Sequence, residues 1–128
     1  MNQTSRFRVL VIEDEALIRW SIAETLARMG HTVIEADDAE SAIRTLRETS
    51  EPVDVVLLDY HLPDSNDLTL LATIRRMAPH SAVVMMTAFG ASDVTSGALE
   101  LGAHSVVDKP FDMQDLEPML LDACAGPR

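Results

Sequence analysis

The chain is short of positive charge and shorter still of lysine: nine of its ten basic residues are arginine and only Lys109 is lysine, against 21 acidic residues, for a net charge of −11. So acidic a surface repels phosphate backbones and argues against direct nucleic-acid binding by this chain. Cysteine is nearly absent. Cys124 stands alone as a tail thiol, there is no CxxC pair, and His31, His61, His80 and His104 are scattered without zinc spacing. That usage fits a reducing cytoplasm and a core that needs no disulfide or metal staple. Long apolar runs are missing too: nothing approaches the about 20 residues that span a bilayer. Val9 to Ile12, the run behind the N-terminal arginines, is broken at once by Glu13, Asp14 and Glu15, so neither a signal peptide nor a membrane helix is expected.

What is present is 128 residues, 47% of them hydrophobic, the size of one domain able to bury a core of its own. Short apolar β-type runs alternate five times with longer helical patterns, as in βαβ units around a parallel sheet. The strands read as Phe7 to Ile12, Thr32 to Ala36, Val53 to Leu58, Ala82 to Met86 and His104 to Asp108. In the first helix Ile18, Ile22, Leu26 and Met29 form one apolar stripe ending at Gly30, with Trp20 opposite it and expected to pack partly. The second helix starts at Asp37 or Asp38 and buries Ala39, Ile43 and Leu46. The third runs from about Asn66 through Leu71 and Ile74 to a stop at Pro79. Ser92 should cap the fourth, which carries Val94, Ala98 and Leu101 but has Gly97 in its middle and is expected to be the least stable. The fifth holds Leu116, Leu120 and Ala123, and Pro118 requires it to begin late, near Asp115, or to kink. The expected fold class is α/β: a doubly wound, flavodoxin-like single domain over residues 1–128, with a five-stranded parallel sheet in the order 2-1-3-4-5. Its core spans about residues 7–124, and 125–128 form a tail or the start of a linker.

In such sheets ligands bind beyond the carboxyl ends of the strands, where strand order reverses. After the first strand come Glu13 and Asp14; after the third, Asp59; after the fourth, Thr87 and Ala88; after the fifth, Lys109 and Pro110. Three carboxylates in one crevice repel each other unless a cation joins them, and hard oxygen ligands suit Mg²⁺ or Mn²⁺ better than zinc. A flavin or dinucleotide phosphate would need Gly-rich backbone amides where this chain has Glu13-Asp14-Glu15, so the flavodoxin-like reading keeps the fold and loses the ligand. An attacking carboxylate (Asp59), a bridging metal, a hydroxyl (Thr87) and one compact cation (Lys109) are what phosphoryl transfer requires. Each residue has a plainer reading as well. Asp59 alone could be a solvated strand-end carboxylate, Glu13-Asp14 an ordinary helix-start pair, Thr87 a β-branched strand residue; only the constellation lifts them.

Five motifs in this order, Glu13-Asp14, Val-Val-Leu-Leu-Asp59, Leu62-Pro63-Asp64, Met-Thr87-Ala88-Phe89-Gly90, and Leu-Gly102-Ala103 leading to Lys109-Pro110-Phe111, closely resemble the receiver domain of two-component response regulators. The wording around Thr87 is most similar to receivers of the nitrogen-regulation class. The resemblance implies that Asp59 takes a phosphoryl group from a histidine kinase or histidine phosphotransfer protein. It further implies Mg²⁺ held by Asp14, Asp59 and the backbone carbonyl of His61, and by Glu13 through water, with Thr87 and Lys109 on the phosphoryl oxygens and Lys109-Pro110 cis. Such a chain is a cytoplasmic signalling switch and phosphoprotein rather than an enzyme on other molecules. Its output surface is the fourth helix, fifth strand and fifth helix, acting on an output domain, a downstream partner or a phosphorylation-dependent homodimer.

Two positions depart from that pattern. Val106 stands where the family often has the aromatic half of its switch, and Asp67 where a glycine with positive φ is common. His61, Ala88, Phe89 and Val106 are therefore expected to modulate the switch, His61 and Phe89 by flanking the water approach to the phosphoryl group. Two rivals remain. A haloacid-dehalogenase-type phosphatase needs a second Asp two residues after the nucleophile, where this chain has His61; a pseudo-receiver binding module usually lacks Asp, Lys or an acidic residue, and none is missing here. Glu35, Asp37, Asp38, Glu40 and the region 108–117 read as solvated acidic surface, and the nine arginines as available for surface pairs.

Overall fold

A strand whose two faces are both covered should read as continuous apolar sequence, and β3 (Val55–Asp59, Val-Val-Leu-Leu-Asp) is buried at every position. It is the middle strand of a five-stranded parallel sheet in the order β2-β1-β3-β4-β5. The other strands are β1 (Arg8–Ile12), β2 (Thr32–Ala36), β4 (Ala82–Ala88) and β5 (Ser105–Lys109). The structure, a computed structural model, describes residues 6–65, 68–88 and 92–125, without the Ser92 side chain. The expected α/β architecture and strand order are both observed.

Period-two alternation sends successive strand residues to opposite faces. Leu10, Ile12, Val56, Leu58, Val83 and Met85 pack under α2 (Ala39–Glu48), α3 (Thr69–Met77) and α4 (Ser92–Glu100), against Ala42, Leu71, Ile74 and Ala98. Val9, Val11, Val55, Leu57, Val84 and Met86 pack under α1 (Ala16–Arg28) and α5 (Leu116–Cys124), against Ile22, Leu26, Leu116 and Leu120.

Several boundaries move. β3, β4 and β5 run on through Asp59, Ala88 and Lys109, because parallel pairing continues through Asp59↔Met86, Thr87↔Asp108 and Ala88↔Lys109 although the side chains turn polar. Phe7, Val53 and His104 correspondingly drop out of the strands. α3 begins at Thr69, later than expected, and the positive φ expected of Asp67 and the site role expected of Phe89 lie outside the described residues. So does any cap by the Ser92 side chain, although α4 does begin there. Leu101 does not join the apolar face of α4: the helix stops at Glu100, and Leu101 is 42% exposed. Gly97 has a packing reason beyond its low propensity, since a Cβ there would come 2.7 Å from Leu68 Cδ1 at the start of α3. Pro118 is the third residue of α5, behind a 3₁₀ turn at Met113–Asp115, so the helix begins late, as expected, and the proline falls in its first turn, where a missing N–H costs least. Trp20 is 57% exposed and so packs only in part, as expected, and Leu17 is 74% exposed, because Ile22 and Leu26 fill the sheet-facing side of α1.

Candidate functional site

The strand order brings the ends of β1, β3, β4 and β5 to one edge. Glu13, just past β1, is fully buried, Asp59 is 3% exposed and Thr87 1%, whereas Asp14 is exposed. One carboxylate oxygen from each of Glu13, Asp14 and Asp59 lies within 4.8 Å of the others, an all-oxygen group able to hold a hard cation. The chain's one lysine reaches the same place from the end of β5: Lys109 Nζ is 2.9 Å from Glu13 Oε1 and 3.3 Å from Asp59 Oδ1. Lys109-Pro110 is cis. Two backbone amides help to hold the carboxylates, Glu15 N–H donating to Glu13 Oε2 at 3.1 Å and His61 N–H to Asp59 Oδ1 at 3.3 Å.

Burial of Asp59, and after it the negative charge of Glu13, push its carboxyl up to about 6, against the opposing pull of Lys109 and the His61 amide. Burial would lower Lys109, but the Glu13 hydrogen bond and the charges of Asp59 and Glu13 outweigh it and leave the ammonium above its ordinary value. The site therefore keeps its cation and is short of one. Two buried carboxylates share a single ammonium, a deficit that a divalent ion would fill.

A family model, the response regulator receiver domain, matches residues 9–121. The chain belongs to that family. The receiver is 37% identical over 116 residues to the transcriptional regulatory protein PdtaR of Mycobacterium tuberculosis, which covers 88% of this chain and 54% of the relative. It is 35% identical over 109 residues to the response regulator protein FleR of Pseudomonas aeruginosa, covering 85% of this chain and 23% of the relative. The chain thus spans from about a quarter to about half of the length of these relatives. Among solved structures, the receiver domain of NtrX from Brucella abortus matches with 30% identity and a TM-score of 0.83, covering 93% of this chain and 99% of that one. A receiver domain from Clostridium thermocellum matches with 30% identity and a TM-score of 0.85, covering 92% and 94%.

The other residues singled out from sequence are placed as follows. Among the described residues the buried Thr87 Oγ1 makes one long hydrogen bond, donating to the Ala88 carbonyl at 3.4 Å. Ala88 is exposed and lines an apolar cleft of about 350 Å³ with Ile18, Lys109, Pro110, Phe111 and Met113. Val106 is half-buried and packs with the cluster under α4. His61 is exposed, its ring edge-on to Tyr60 at 4.9 Å.

Sequence reasoning missed Arg19. Grouped with surface-pairing arginines, it instead donates from NH1 to the Glu13 carbonyl at 2.8 Å and from Nε to Glu35 at 3.1 Å, fixing the loop that presents Glu13. Arg75 likewise holds the Ser81 carbonyl at 2.6 Å. Within the acidic surface, exposed Glu35 pairs with Arg19, and Asp38 caps α2, as expected of it, by accepting from Ser41 N–H at 2.8 Å. An arginine's carbonyl partner is set by loop shape, for which the sequence has no periodic signal.

Proposed function

We propose that this receiver is a phosphoacceptor switch in which Asp59 takes a phosphoryl group from a phosphohistidine of a sensor kinase or phosphotransfer protein. The observation that carries this reading is a buried carboxylate at the end of the central strand, 3.3 Å from the chain's one lysine and grouped with two further carboxylates. Mg²⁺, held by Asp14, Asp59 and the His61 carbonyl and through water by Glu13, would neutralise charge between Asp59 and the incoming phosphoryl group. An Asp59 oxygen attacks phosphorus, the phosphorus–nitrogen bond to the donor imidazole breaks, and the aspartyl phosphate forms. Thr87 donates its hydroxyl to a phosphoryl oxygen, and Lys109 turns from the carboxylates to another. Release by water returns the switch to rest, at a rate tuned by His61, Ala88 and Phe89.

The donor protein would seat on exposed Leu17 and Trp20 of α1 and on the cleft beside Lys109. The readout would pass through α4, β5 and α5 to an output domain, a cytoplasmic partner or a second copy, with Val106 occupying less space than an aromatic switch residue. We assign the whole of 1–128 to this one domain. No described helix is long and apolar enough to cross a membrane.

Incubation with Mg²⁺ and a small acyl phosphate, followed by intact mass, tests the reading. Wild type should gain one phosphoryl group and Asp59→Asn none. No adduct on wild type would favour a pseudo-receiver, and turnover of phosphate esters a phosphatase. Because Asp59 binds a proton near pH 6, Mg²⁺ affinity should fall several-fold between pH 7.5 and 5.5. A flat profile by calorimetry would remove Asp59 from the ligand set.

A further inference from the structure

The N-terminus of α2 is held by two carboxylates that come from different places. Asp38 is the local cap: its Oδ1 accepts from Ser41 N–H at 2.8 Å, and Ser41 Oγ reaches back towards the Asp38 amide. The other is Asp64, 25 residues further along the chain from Ala39, whose Oδ1 accepts from Ala39 N–H at 2.8 Å and Oδ2 from Glu40 N–H at 3.1 Å. A helix start leaves its first N–H groups without partners and attracts negative charge, so a carboxylate that accepts from two of them is held firmly.

Asp64 lies in the connection that leaves Asp59. Leu62 and Ser65 close a small turn there by donating to each other's carbonyls at 2.9 and 3.2 Å, with Pro63 and Asp64 at its tip. Leu62 is buried at 6% exposure, so the turn is seated on the core. At the other end, Tyr60 N–H donates to the Met86 carbonyl at 2.9 Å, which continues the β3–β4 ladder past Asp59. His61 is thus suspended between two fixed points, the ladder on one side and the turn that Asp64 fastens to α2 on the other.

We propose that Asp64 is a positioning residue for the phosphoacceptor site: by clasping the start of α2 it sets the path of the backbone from Asp59 through His61, and with it the His61 carbonyl. The role rests on the reading above, in which that carbonyl is a Mg²⁺ ligand. Asp64 touches neither Asp59 nor the phosphoryl group and acts only through the loop. The same clasp ties α2 to the segment that must accommodate a phosphoryl group on Asp59.

The second carboxylate supplies the control. Asp38→Ala weakens the α2 cap without touching the loop, whereas Asp64→Ala weakens the cap and also frees the loop. Titration calorimetry with MgCl₂ at pH 7.5 should show affinity reduced about five- to tenfold in Asp64→Ala and within twofold of wild type in Asp38→Ala, at matched thermal stability. Asp64→Asn, whose single carbonyl oxygen can accept from one of the two amides, should recover part of the loss and serves if the alanine variant does not fold. In metal-free protein, hydrogen exchange at the Leu62 and Ser65 amides should quicken in Asp64→Ala and stay put in Asp38→Ala. Equal Mg²⁺ affinities in the two alanine variants would overturn the role of Asp64 while leaving the switch intact. A wild type that binds no Mg²⁺ would instead refute the reading on which it rests.

Discussion

The two ends of the sheet bury ionisable groups in opposite ways. At the carboxyl end Glu13 and Asp59, both nearly inaccessible, share the one ammonium of Lys109. At the amino end His31, its side chain fully buried, has shed its charge: Nδ1 accepts from Phe7 N–H at 3.0 Å, the ring stacks on Phe7 at 5.3 Å, and burial lowers its proton affinity against the pull of Glu117. With Nδ1 an acceptor, the proton sits on Nε2, which has no hydrogen-bond partner among the described residues and lies 3.9 Å from Glu117 Oε2. A histidine that only joins β1 to β2 can relax by becoming neutral. The carboxyl-end site, which in the proposed switch receives a cation and a phosphoryl group, holds instead an unfinished charge balance, at a cost to the resting fold.

Removing Lys109 should break that balance hardest. Lys109→Met leaves two buried carboxylates without their cation, and because the lysine side chain is only 21% exposed the metal-free protein should lose about 2 to 3 kcal/mol in urea unfolding. Much of the loss should return with millimolar Mg²⁺. A variant as stable as wild type without metal would mean that the carboxylates do not strain the fold.

Asp59→Asn should act in the opposite direction. The carboxyl is raised from 3.8 to about 6, so the folded state binds more protons than the unfolded one between those values. Stability therefore falls as pH rises through that window, and the whole penalty stands at pH 7.5. At 1.36 kcal/mol per unit the ceiling is about 3 kcal/mol, of which about 1 to 2 should be recovered by the amide, since Asp59 also gains from Lys109. Asp59, the proposed phosphoacceptor, would then be a residue that the metal-free fold tolerates less well than its uncharged counterpart. An unchanged or lower unfolding midpoint at pH 7.5 would contradict it.

The contrast between the two ends bears on what could be read from the residues alone. The carboxyl-end cluster was legible because its members share one type and one position, polar groups closing apolar strands. Strand order then brings Glu13, Asp59, Thr87 and Lys109 together whatever the loops do. The elements were legible for the same reason, their periodicity being a property of the chain. Arg19, Asp64 and His31 were not, because each works through backbone amides or carbonyls whose place depends on loop shape. Leu101 was misjudged because helical spacing shows which residues share a face but not where the helix stops.

The amino end makes the smallest prediction, and it needs the Asp59→Asn background to be seen. In wild type the two ends oppose each other below pH 6.5: protonating Asp59 favours the fold, while protonating His31 disfavours it, because the unfolded histidine takes up a proton at 6.5 and the folded one only at lower pH. With Asp59 replaced, stability should decline as pH falls below 6.5, the His31 contribution being complete above that value. Glu117→Gln should steepen the decline, since it removes the one charge that helps His31 to accept a proton. Loss of a carboxylate from the first turn of α5 also weakens its favourable meeting with the helix dipole, by about 0.3 to 0.5 kcal/mol at any pH where Glu117 would be ionised. The quantity to read is therefore the stability at pH 8 minus that at pH 5.5, which cancels this offset. It should grow, by at most about 0.5 kcal/mol, in Asp59→Asn/Glu117→Gln relative to Asp59→Asn, because the Glu117 charge acts only on the fraction of folded His31 that is protonated at pH 5.5. An unchanged difference would mean that Glu117 is too well solvated to bias His31, leaving the buried imidazole governed by its desolvation and its bond to Phe7 alone.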